Sequence, residues 1–289
     1  MKELIKIGDY NRLRVKELAR REGYGEVFGL YLDGGVVGDI LMPQKYVPEG
    51  VKPGDEVDCF VYVDQEDRLV ATTETPVATV NHFACLECVW VNQYGAFLDW
   101  GVTKNLFCPF SEQKKHFEVG RSYVVYIYLD EESYRLVATA KIERHLSKEI
   151  PPYQPGDKVS LLIWQKTDLG FKVIIDNKFG GLVYDNQIFK RIHSGETMDG
   201  YIANVREDGK IDVMLQPTGR QETEDFAQRL LRWMQEHDGF CPLGDKSDPE
   251  AIKNLFQVSK KTFKKGVGAL YRQHLIDIAD DGLHLVAEE

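Results

Sequence analysis

Short runs of alternating apolar and polar residues dominate the first three quarters of the chain. These runs are rich in β-branched and aromatic residues and are separated by turn-forming Asp and Gly, which is typical of half-buried β-strands. The pattern predicts strands over residues 57–63, 88–98, 123–129, 159–164 and 201–205. Strands this short and this closely spaced indicate small closed barrels, most simply five-stranded OB-type barrels.

An internal repeat divides this strand-rich region. The block Phe-Gly-Leu-Tyr-Leu-Asp at residues 28–33 returns as Tyr-Gly-Ala-Phe-Leu-Asp at residues 94–99, and two further blocks follow at the same offset. A third, more divergent copy places residues 169–171 where the second copy has its aromatic-glycine pair. Repeats of this kind are the signature of tandem modules. We therefore predict barrels over residues 1–75, 76–146 and 153–217, with a proline-rich linker before the third.

Beyond the third copy, the spacing of apolar residues changes to that of helices. Phe226 begins a helical stripe, Pro249 stands at the first position of a second helix, and Ser259 caps a third helix that runs to His274. The buried side of the third helix is predicted to carry Phe263, Val267, Leu270 and Tyr271. A final hairpin turns at residues 280–282. This order of elements predicts an α+β winged-helix domain over residues 222–289.

The net charge of −10 narrows the kind of partner that such domains could bind. By direct count, the charge is −5 over residues 1–75, −1 over 76–150, 0 over 151–221 and −4 over 222–289. Proteins that hold duplexes by neutralising phosphates are usually basic overall. Binding must therefore depend on local patches and on stacking, which favours single strands over duplex DNA.

The remaining composition is that of an ordinary folded protein. No stretch reaches the ~18 apolar residues that a membrane span needs, and the first residues lack the apolar run of a secretory signal. The five scattered cysteines indicate free thiols in a reducing compartment. We expect a cytoplasmic protein without membrane association.

The order of the repeated motifs resembles the S1 RNA-binding domain, an OB-fold module. Each of the first two copies has an aromatic-glycine pair, an apolar segment ending in Pro, a Gly before a strand, and an Asp separated by three or four residues from Arg-Leu. Three copies with this helical tail resemble the conserved virulence factor B family over nearly the whole chain. The predicted fold class is mainly β, with three tandem S1/OB-fold barrels followed by a winged helix. The resemblance implies a bacterial, cytoplasmic, RNA-binding regulator that acts after transcription.

Candidate RNA-binding residues follow from the matched motif positions. Aromatic rings on adjacent strands stack unpaired bases at ~1–3 kcal/mol per base, and Arg or Lys contacts phosphate. The candidates, copy by copy, are Phe28, Tyr31 and Arg68; Tyr94, Phe97, Asp130 and Arg135; and Phe171, Tyr184 and Lys210. Asp64 and Asp130 are equally well explained as turn formers or as partners of Arg68 and Arg135. Because the first copy is acidic, we expect the second and third to carry more of the binding.

One position departs from the S1 pattern. The His that usually follows the Gly-Leu-Val segment is replaced by Met42, Cys108 and Tyr184 in the three copies. We therefore expect a stacking or polar contact to be lost or altered in at least two copies.

The third helix of the tail adds a basic patch. It carries Lys260, Lys261, Lys264, Lys265 and Arg272 with no acidic residue between them. In a helix-turn-helix arrangement this element meets nucleic acid. A charge run is usually a solvated face, but the rest of this domain is acidic, so we predict phosphate contact here.

Enzymatic and metal-binding interpretations find little support in the chain. The phosphate-loop, dinucleotide, nucleophile-elbow and zinc-protease motifs are absent, and the single Cys85-x-x-Cys88 pair has no second pair of ligands. We expect no enzyme activity, no catalytic residues, no cofactor and no metal. Two alternatives stay open: a DNA-binding regulator that reads duplex DNA through the winged helix, and a protein-interaction adaptor with degenerate barrels. The sequence names no protein partner.

Overall fold

The computed structural model describes residues 4–21, 26–188, 191–216 and 220–286, with the backbone alone for residues 220–225. The chain forms two compact units, the first ending at Leu146 and the second beginning at Ser147. The first unit holds two β-barrels, and the second holds a third barrel and a domain with three helices. This architecture confirms the predicted fold class.

The first barrel is a closed sheet of five strands in the order β1-β2-β3-β5-β4. All neighbouring strands are antiparallel except β3 and β5, which are parallel. Successive side chains of a strand point to opposite faces, so β4 places Val57, Cys59 and Val61 in the barrel core. The strands are β1 (Asp9–Arg20), β2 (Val27–Asp33), β3 (Asp39–Pro43), β4 (Glu56–Val63) and β5 (Leu69–Thr72).

The second barrel repeats this topology, but its first two strands differ from the prediction. The single strand predicted over residues 88–98 is wrong, because the chain turns after Val91. The side-chain oxygen of Asn92 accepts hydrogen bonds from the backbone N–H groups of Tyr94 and Gly95, at 2.8 and 3.1 Å. This local bonding forms a turn that overrides the surrounding strand pattern. The strands are β6 (Phe83–Val91), β7 (Gly95–Asp99), β8 (Leu106–Pro109), β9 (Ser122–Leu129) and β10 (Leu136–Thr139).

The two barrels of the first unit share one hydrophobic core across their junction. Phe60, Tyr62 and Val70 alternate with the inward residues of the first barrel and are buried against Trp100 and Val102 of the second. Aromatic side chains of this size dominate the stability of a packed interface. The junction is therefore packed like the interior of a domain.

The third barrel begins the second unit and has the same strand order as the first. Its core is mainly aliphatic, with Val159, Leu161 and Ile163 pointing inward from its first strand and Phe179 the one aromatic residue among the buried ones that the structure describes. The strands are β11 (Lys158–Thr167), β12 (Gly170–Ile175), β13 (Phe179–Tyr184), β14 (Thr197–Val205) and β15 (Ile211–Met214).

One glycine occupies the same place in every barrel, where the second strand passes the third. A Cβ atom at Gly29, Gly95 or Gly170 would lie 2.2, 2.4 or 2.0 Å, respectively, from a carbonyl oxygen of the third strand. Such a separation is far below van der Waals contact with a backbone atom that cannot swing away. The close approach of these two strands therefore requires glycine in all three copies.

The helical domain of the second unit has the order helix, strand, helix, helix, hairpin, which confirms the predicted winged helix. Ser259 caps the third helix by accepting a hydrogen bond from the backbone N–H of Thr262, whereas Asp248 makes no side-chain capping bond at the second. The third helix ends at Arg272, before the predicted His274, whose φ of 55° is left-handed. The elements are α1 (Arg220–Glu236), β16 (Phe240–Cys241), α2 (Pro249–Phe256), α3 (Lys260–Arg272), β17 (Ile276–Ile278) and β18 (Leu283–Leu285).

The three helices pack around three phenylalanines, one from each helix. The ring centroids of Phe226, Phe256 and Phe263 lie 5.7 to 5.9 Å apart in each pair. This packing presents the opposite face of α3, which carries the lysines, to solvent. None of the helices in the described part of the chain is long and apolar enough to cross a membrane.

Candidate nucleic-acid interface

A groove of about 910 Å³ lies on the outer face of the second barrel. Strands β7 and β8 form its floor, and the β6–β7 and β9–β10 turns form its sides. The second and third strands and these two loops are the surface through which OB-folds bind oligonucleotides. The groove brings together four of the predicted residues: Tyr94, Phe97, Asp130 and Arg135.

Aromatic rings cover the floor and rim of this groove. Trp90 and Phe97 stack with ring centroids 4.7 Å apart and planes 26° apart, and Phe107 lies 5.1 Å from Phe97. Trp90 is 54% exposed and Tyr94 is 66% exposed. Exposed apolar surface of this kind is typical of interaction sites, and flat rings suit the faces of unpaired bases.

Trp90 and Phe107 were not among the residues predicted from the sequence. A β-bulge between Cys88 and Trp90 shifts the alternation of β6 by one residue, so a strict period of two does not place Trp90 outside. Phe107 pairs directly with Phe97. Its place in the repeat, opposite the aromatic of the preceding strand, is the signal that could have identified it.

The two charged residues predicted on the β9–β10 turn do not pair with each other. The Arg135 guanidinium donates from Nε to the Asp67 carboxylate of the first barrel, at 2.9 Å. Asp130 accepts hydrogen bonds from the hydroxyl and the backbone N–H of Ser133, at 2.6 and 2.9 Å. These bonds hold the pKa of Asp130 below its ordinary value. Asp130 therefore shapes the turn, and Arg135 spans the junction between the barrels.

The other charges of the groove are also engaged. The Lys104 ammonium donates to the backbone carbonyl of Val63, and burial, followed by the charge of Arg135, lowers the Lys104 pKa. Burial alone would raise the pKa of Glu112, but hydrogen bonds from Thr139 and Lys141 outweigh it, so that pKa lies below its ordinary value. Because each of these charged groups is already hydrogen-bonded within the protein, the groove offers stacking surface more than free charge.

The first barrel presents a different surface at the matching positions. Phe28 is 40% exposed and Tyr31 is half-buried. The guanidinium of Arg68 lies 2.9 Å from the Asp64 carboxylate and 2.8 Å from that of Glu66. Arg68 is thus paired twice within its own turn, which leaves its charge largely satisfied.

Strand pairing corrects the comparison of the third copy with the other two. Tyr184 pairs with Gly170, which is the place of Pro109 in the second barrel and not that of Cys108. Met42 and Cys108 are fully buried. The sequence comparison was therefore one residue out of register in the third copy, and the two residues that replace the usual His of the S1 pattern point into the barrel core.

A cation stands in the third barrel where the second has a ring. The register of β11, β12 and β13 places Lys172 at the position of Phe97. Phe171, predicted as the stacking residue, is half-buried, and the Lys166 ammonium lies 4.8 Å from its ring centroid. The outer face of this barrel therefore differs in chemistry from that of the second.

The other predicted residues of the third barrel take part in a polar cluster. Arg206 stands where the second barrel has Asp130; it pairs with Asp212 at 2.8 Å and donates to the hydroxyl of Tyr184. Lys210 pairs with Asp208 at 2.6 Å. Tyr184 is thus held by Arg206, and Lys210 by Asp208, both of which lie between β14 and β15.

The five basic residues predicted on α3 are not equivalent. Lys261 and Lys265 are exposed, and neither forms an ion pair with an acidic side chain that the structure describes. The other three are held by neighbours: Lys260 by the Ser247 carbonyl (2.8 Å), Lys264 by the Asp245 carboxylate (3.2 Å) and Arg272 by the Gly268 carbonyl (2.9 Å).

Tyr271 was predicted to be buried on α3, and this prediction is wrong. Its side chain is 50% exposed, whereas Phe263, Val267 and Leu270 are buried. The apolar stripe of an amphipathic helix is limited in width, and Tyr271 lies one residue beyond its edge.

Thiol and metal chemistry find no arrangement to support them in the described residues. No group of three or more His, Cys, Asp or Glu side chains among them could hold a metal ion. The five cysteines are free thiols. Burial raises the pKa of Cys59 and of Cys108 to about 12, so both stay protonated and unreactive near neutral pH.

Two family models match the chain. The S1 domain model matches residues 7–74, which include the strands of the first barrel. The CvfB-like winged helix domain model matches residues 228–285. Both are families of nucleic-acid-binding or regulatory modules, not of enzymes.

Curated relatives resemble the chain over most of its length. The uncharacterized protein YitL of Bacillus subtilis is 26% identical over 262 residues, which cover 85% of this chain and 84% of YitL. Conserved virulence factor B of Staphylococcus saprophyticus is 25% identical over 233 residues, 78% of each chain. These relatives confirm the resemblance to the conserved virulence factor B family.

One solved structure aligns along nearly the whole chain. It is described as a multidomain protein with nucleic acid binding domains from Streptococcus pneumoniae, is 20% identical, and aligns over 97% of this chain and 98% of its own with a TM-score of 0.40.

Proposed function

We propose that this relative of the conserved virulence factor B proteins binds single-stranded RNA, chiefly in the groove of the second barrel, and regulates gene expression after transcription in the cytoplasm. The observation that carries the proposal is the set of accessible aromatic rings on the surface through which OB-folds bind oligonucleotides. Trp90, Tyr94 and Phe97 stand beside the two loops that frame that surface.

Stacking explains why the ligand is single-stranded. Bases within a duplex are already stacked and paired, so only an unpaired base presents its face to Trp90 or Tyr94. Stacking of a base on an aromatic side chain stabilises a complex by ~1–3 kcal/mol. Two or three such contacts give a modest affinity with little base preference, and the tethered modules raise this affinity by avidity.

The charge balance supports the same choice. Duplex binding gains most of its free energy from phosphate neutralisation and counterion release. The chain has a net charge of −10. In the groove, Arg135 is paired with Asp67 and Glu112 with Lys141. A ligand held mainly by stacking would bind with a shallow dependence on salt.

The preference for RNA over single-stranded DNA rests on the polar rim of the groove. Asn92, Asn105 and Ser133 line it beside the rings. Amide and hydroxyl groups can donate to or accept from a ribose 2′-hydroxyl, which DNA lacks.

The winged helix adds phosphate contacts in this proposal. Lys261 and Lys265 are its leading contact residues, because the structure describes no acidic partner for either. Lys260, Lys264 and Arg272 flank them on α3. In the third barrel, Lys210 and the cluster around Tyr184 would also contact RNA, while Phe28, Tyr31 and Arg68 of the first barrel would contribute least.

Fluorescence anisotropy with labelled single-stranded RNA, the matching single-stranded DNA and duplex DNA, at two salt concentrations, tests the proposal. The variants are Trp90→Ala with Phe97→Ala, and the matched pair Phe28→Ala with Tyr31→Ala on the first barrel. We expect tightest binding to RNA, a loss of roughly tenfold or more for the second-barrel pair, and a smaller loss for the first-barrel pair.

Each alternative function has its own outcome in this experiment. Duplex preference with a steep salt dependence would replace the proposal with a DNA-binding regulator that reads through the winged helix. Failure to bind any of the three nucleic acids would leave the protein-interaction adaptor as the better interpretation.

A further inference from the structure

The turn between β4 and β5 of the first barrel reaches the groove of the second. Gln65 lines that groove. Asp67 accepts the hydrogen bond from Arg135, and the Gln65 carbonyl lies 3.4 Å from Arg135 Nη2. In an OB-fold this turn belongs to the barrel's own binding surface. Here it is directed to the neighbouring barrel.

The first barrel has also lost part of its own binding face. Tyr62 and Val70 point outward from its fourth and fifth strands, yet both are buried against the second barrel. The equivalent residues of the second barrel, Tyr128 and Val137, are half-buried and line its groove. The same surface is thus used for docking in one copy and left open to a ligand in the other.

Polar contacts hold the two barrels in this arrangement. Thr103 donates from its backbone N–H to the Glu74 carboxylate at 3.0 Å and from its hydroxyl at 2.5 Å. The hydroxyl of Tyr46 donates to the same Thr103 hydroxyl oxygen at 3.0 Å. Thr103 itself lines the groove, so these contacts fix the first barrel at its edge.

We infer that the two barrels form one composite nucleic-acid site, in which the first barrel supplies a wall of the second barrel's groove. Gln65 contacts the bound strand, and Asp67 is a positioning residue that holds Arg135 toward it. The first barrel does not act as a separate binding module. This inference depends on the proposed function, since it assigns further residues to the same groove.

Site-specific crosslinking on the full chain tests the wall. A photoreactive benzoylphenylalanine is placed singly at Tyr94, at Gln65 and at Asp39, an exposed first-barrel residue outside the groove. Each protein is irradiated with labelled single-stranded RNA. We expect strong crosslinks from positions 94 and 65 and at most a trace from position 39.

The outcomes separate the inference from the proposed function. Crosslinking at 94 without 65 would overturn the composite site and leave RNA binding by the second barrel intact. Crosslinking at 39 as strong as at 65 would overturn it too, because the first barrel would then contact RNA over its general surface. No crosslink at 94 would mean that the proposed function itself fails.

A double-mutant cycle tests the role of Asp67. Arg135→Ala should weaken RNA binding roughly tenfold in the wild-type background, as expected for a lost contact to a charged group. It should weaken binding much less in an Asp67→Asn background, where Arg135 is no longer held, and Asp67→Glu should restore the wild-type effect. An equal or larger loss in the Asp67→Asn background would show that Asp67 competes with the ligand, which contradicts the positioning role.

Discussion

Trp100 of the second barrel packs edge-on against Phe60 of the first, with ring centroids 5.5 Å apart and planes at 76°. The indole N–H donates to the backbone carbonyl of Lys104 at 2.6 Å, which fixes the ring at the junction. Trp100 is 2% exposed. Trp100 therefore stabilises the second barrel and also packs that barrel against the first.

Trp100→Ala should destabilise both barrels of the first unit. Removing a buried Trp costs ~3–5 kcal/mol, and the cavity would lie between the barrels. Hydrogen exchange followed by mass spectrometry should show faster exchange in β4 and in β9 together. Trp233→Ala, in α1 of the other unit, is the control and should affect the helical domain. Faster exchange confined to the second barrel would contradict a shared core.

Two glycines of α3 should respond to alanine in opposite directions. A Cβ at Gly266 would lie 2.3 Å from Cδ1 of Phe226, whereas a Cβ at Gly268 meets nothing within 4 Å. Gly266→Ala should cost ~1–3 kcal/mol by overpacking. Gly268→Ala should stabilise by ~0.5–1 kcal/mol, because alanine loses less backbone entropy in a helix. Thermal unfolding of the two variants checks this, and equal effects would contradict the packing of α3 on α1.

Phosphate contact by Lys261 and Lys265 should appear in the salt dependence of RNA binding. Each phosphate neutralised on a single strand contributes ~0.7 to the slope of log affinity against log salt. The double Ala variant should therefore lower the slope by ~1.4. The same loss of charge at Lys16 and Lys52 of the first barrel is the control. If both double variants change the slope equally, α3 makes no specific phosphate contact.

Glu112→Gln should reduce stability near neutral pH and much less in acid. Because the folded-state pKa of Glu112 is lowered, the carboxylate's contribution is present above its ordinary pKa and is lost as the pH falls through the folded value. The lost hydrogen bonds from Thr139 and Lys141 are worth ~1–3 kcal/mol. Urea unfolding at both pH values measures the difference. Glu118→Gln, which removes an exposed pair with Arg121, should change little.

Most of the fold could be predicted from the internal repeat. Alternation in each copy specified short strands, and the matching offsets implied that all copies close in the same way. The helix signals of the tail were local and strong, as the cap at Ser259 illustrates. Errors arose where local bonding competed with periodicity, as at Asn92, or where the third copy slipped by one residue, as at Tyr184.

The candidate site was only partly within reach of the sequence. Tyr94, Phe97 and Arg135 could be predicted from their positions in the repeated motif. Trp90 could not, because it points outward through a β-bulge that the sequence pattern does not indicate. The partner of Arg135 is Asp67, from the other barrel. Contacts between modules depend on how the modules dock, which the sequence does not show. Phe60 and Tyr62, which lie at the junction, have the sequence pattern of ordinary strand residues.

In each barrel, the glycine where the second strand passes the third is constrained by packing, whereas residues on the outer face are not. The second copy has Phe97 where the third has Lys172, and both copies still form a closed barrel. Adding one methyl group at Gly29, Gly95 or Gly170 would force two strands apart in any copy. The outer face of each copy can therefore change and acquire a new binding preference. The glycine position cannot change, because only a hydrogen atom fits between the two strands there.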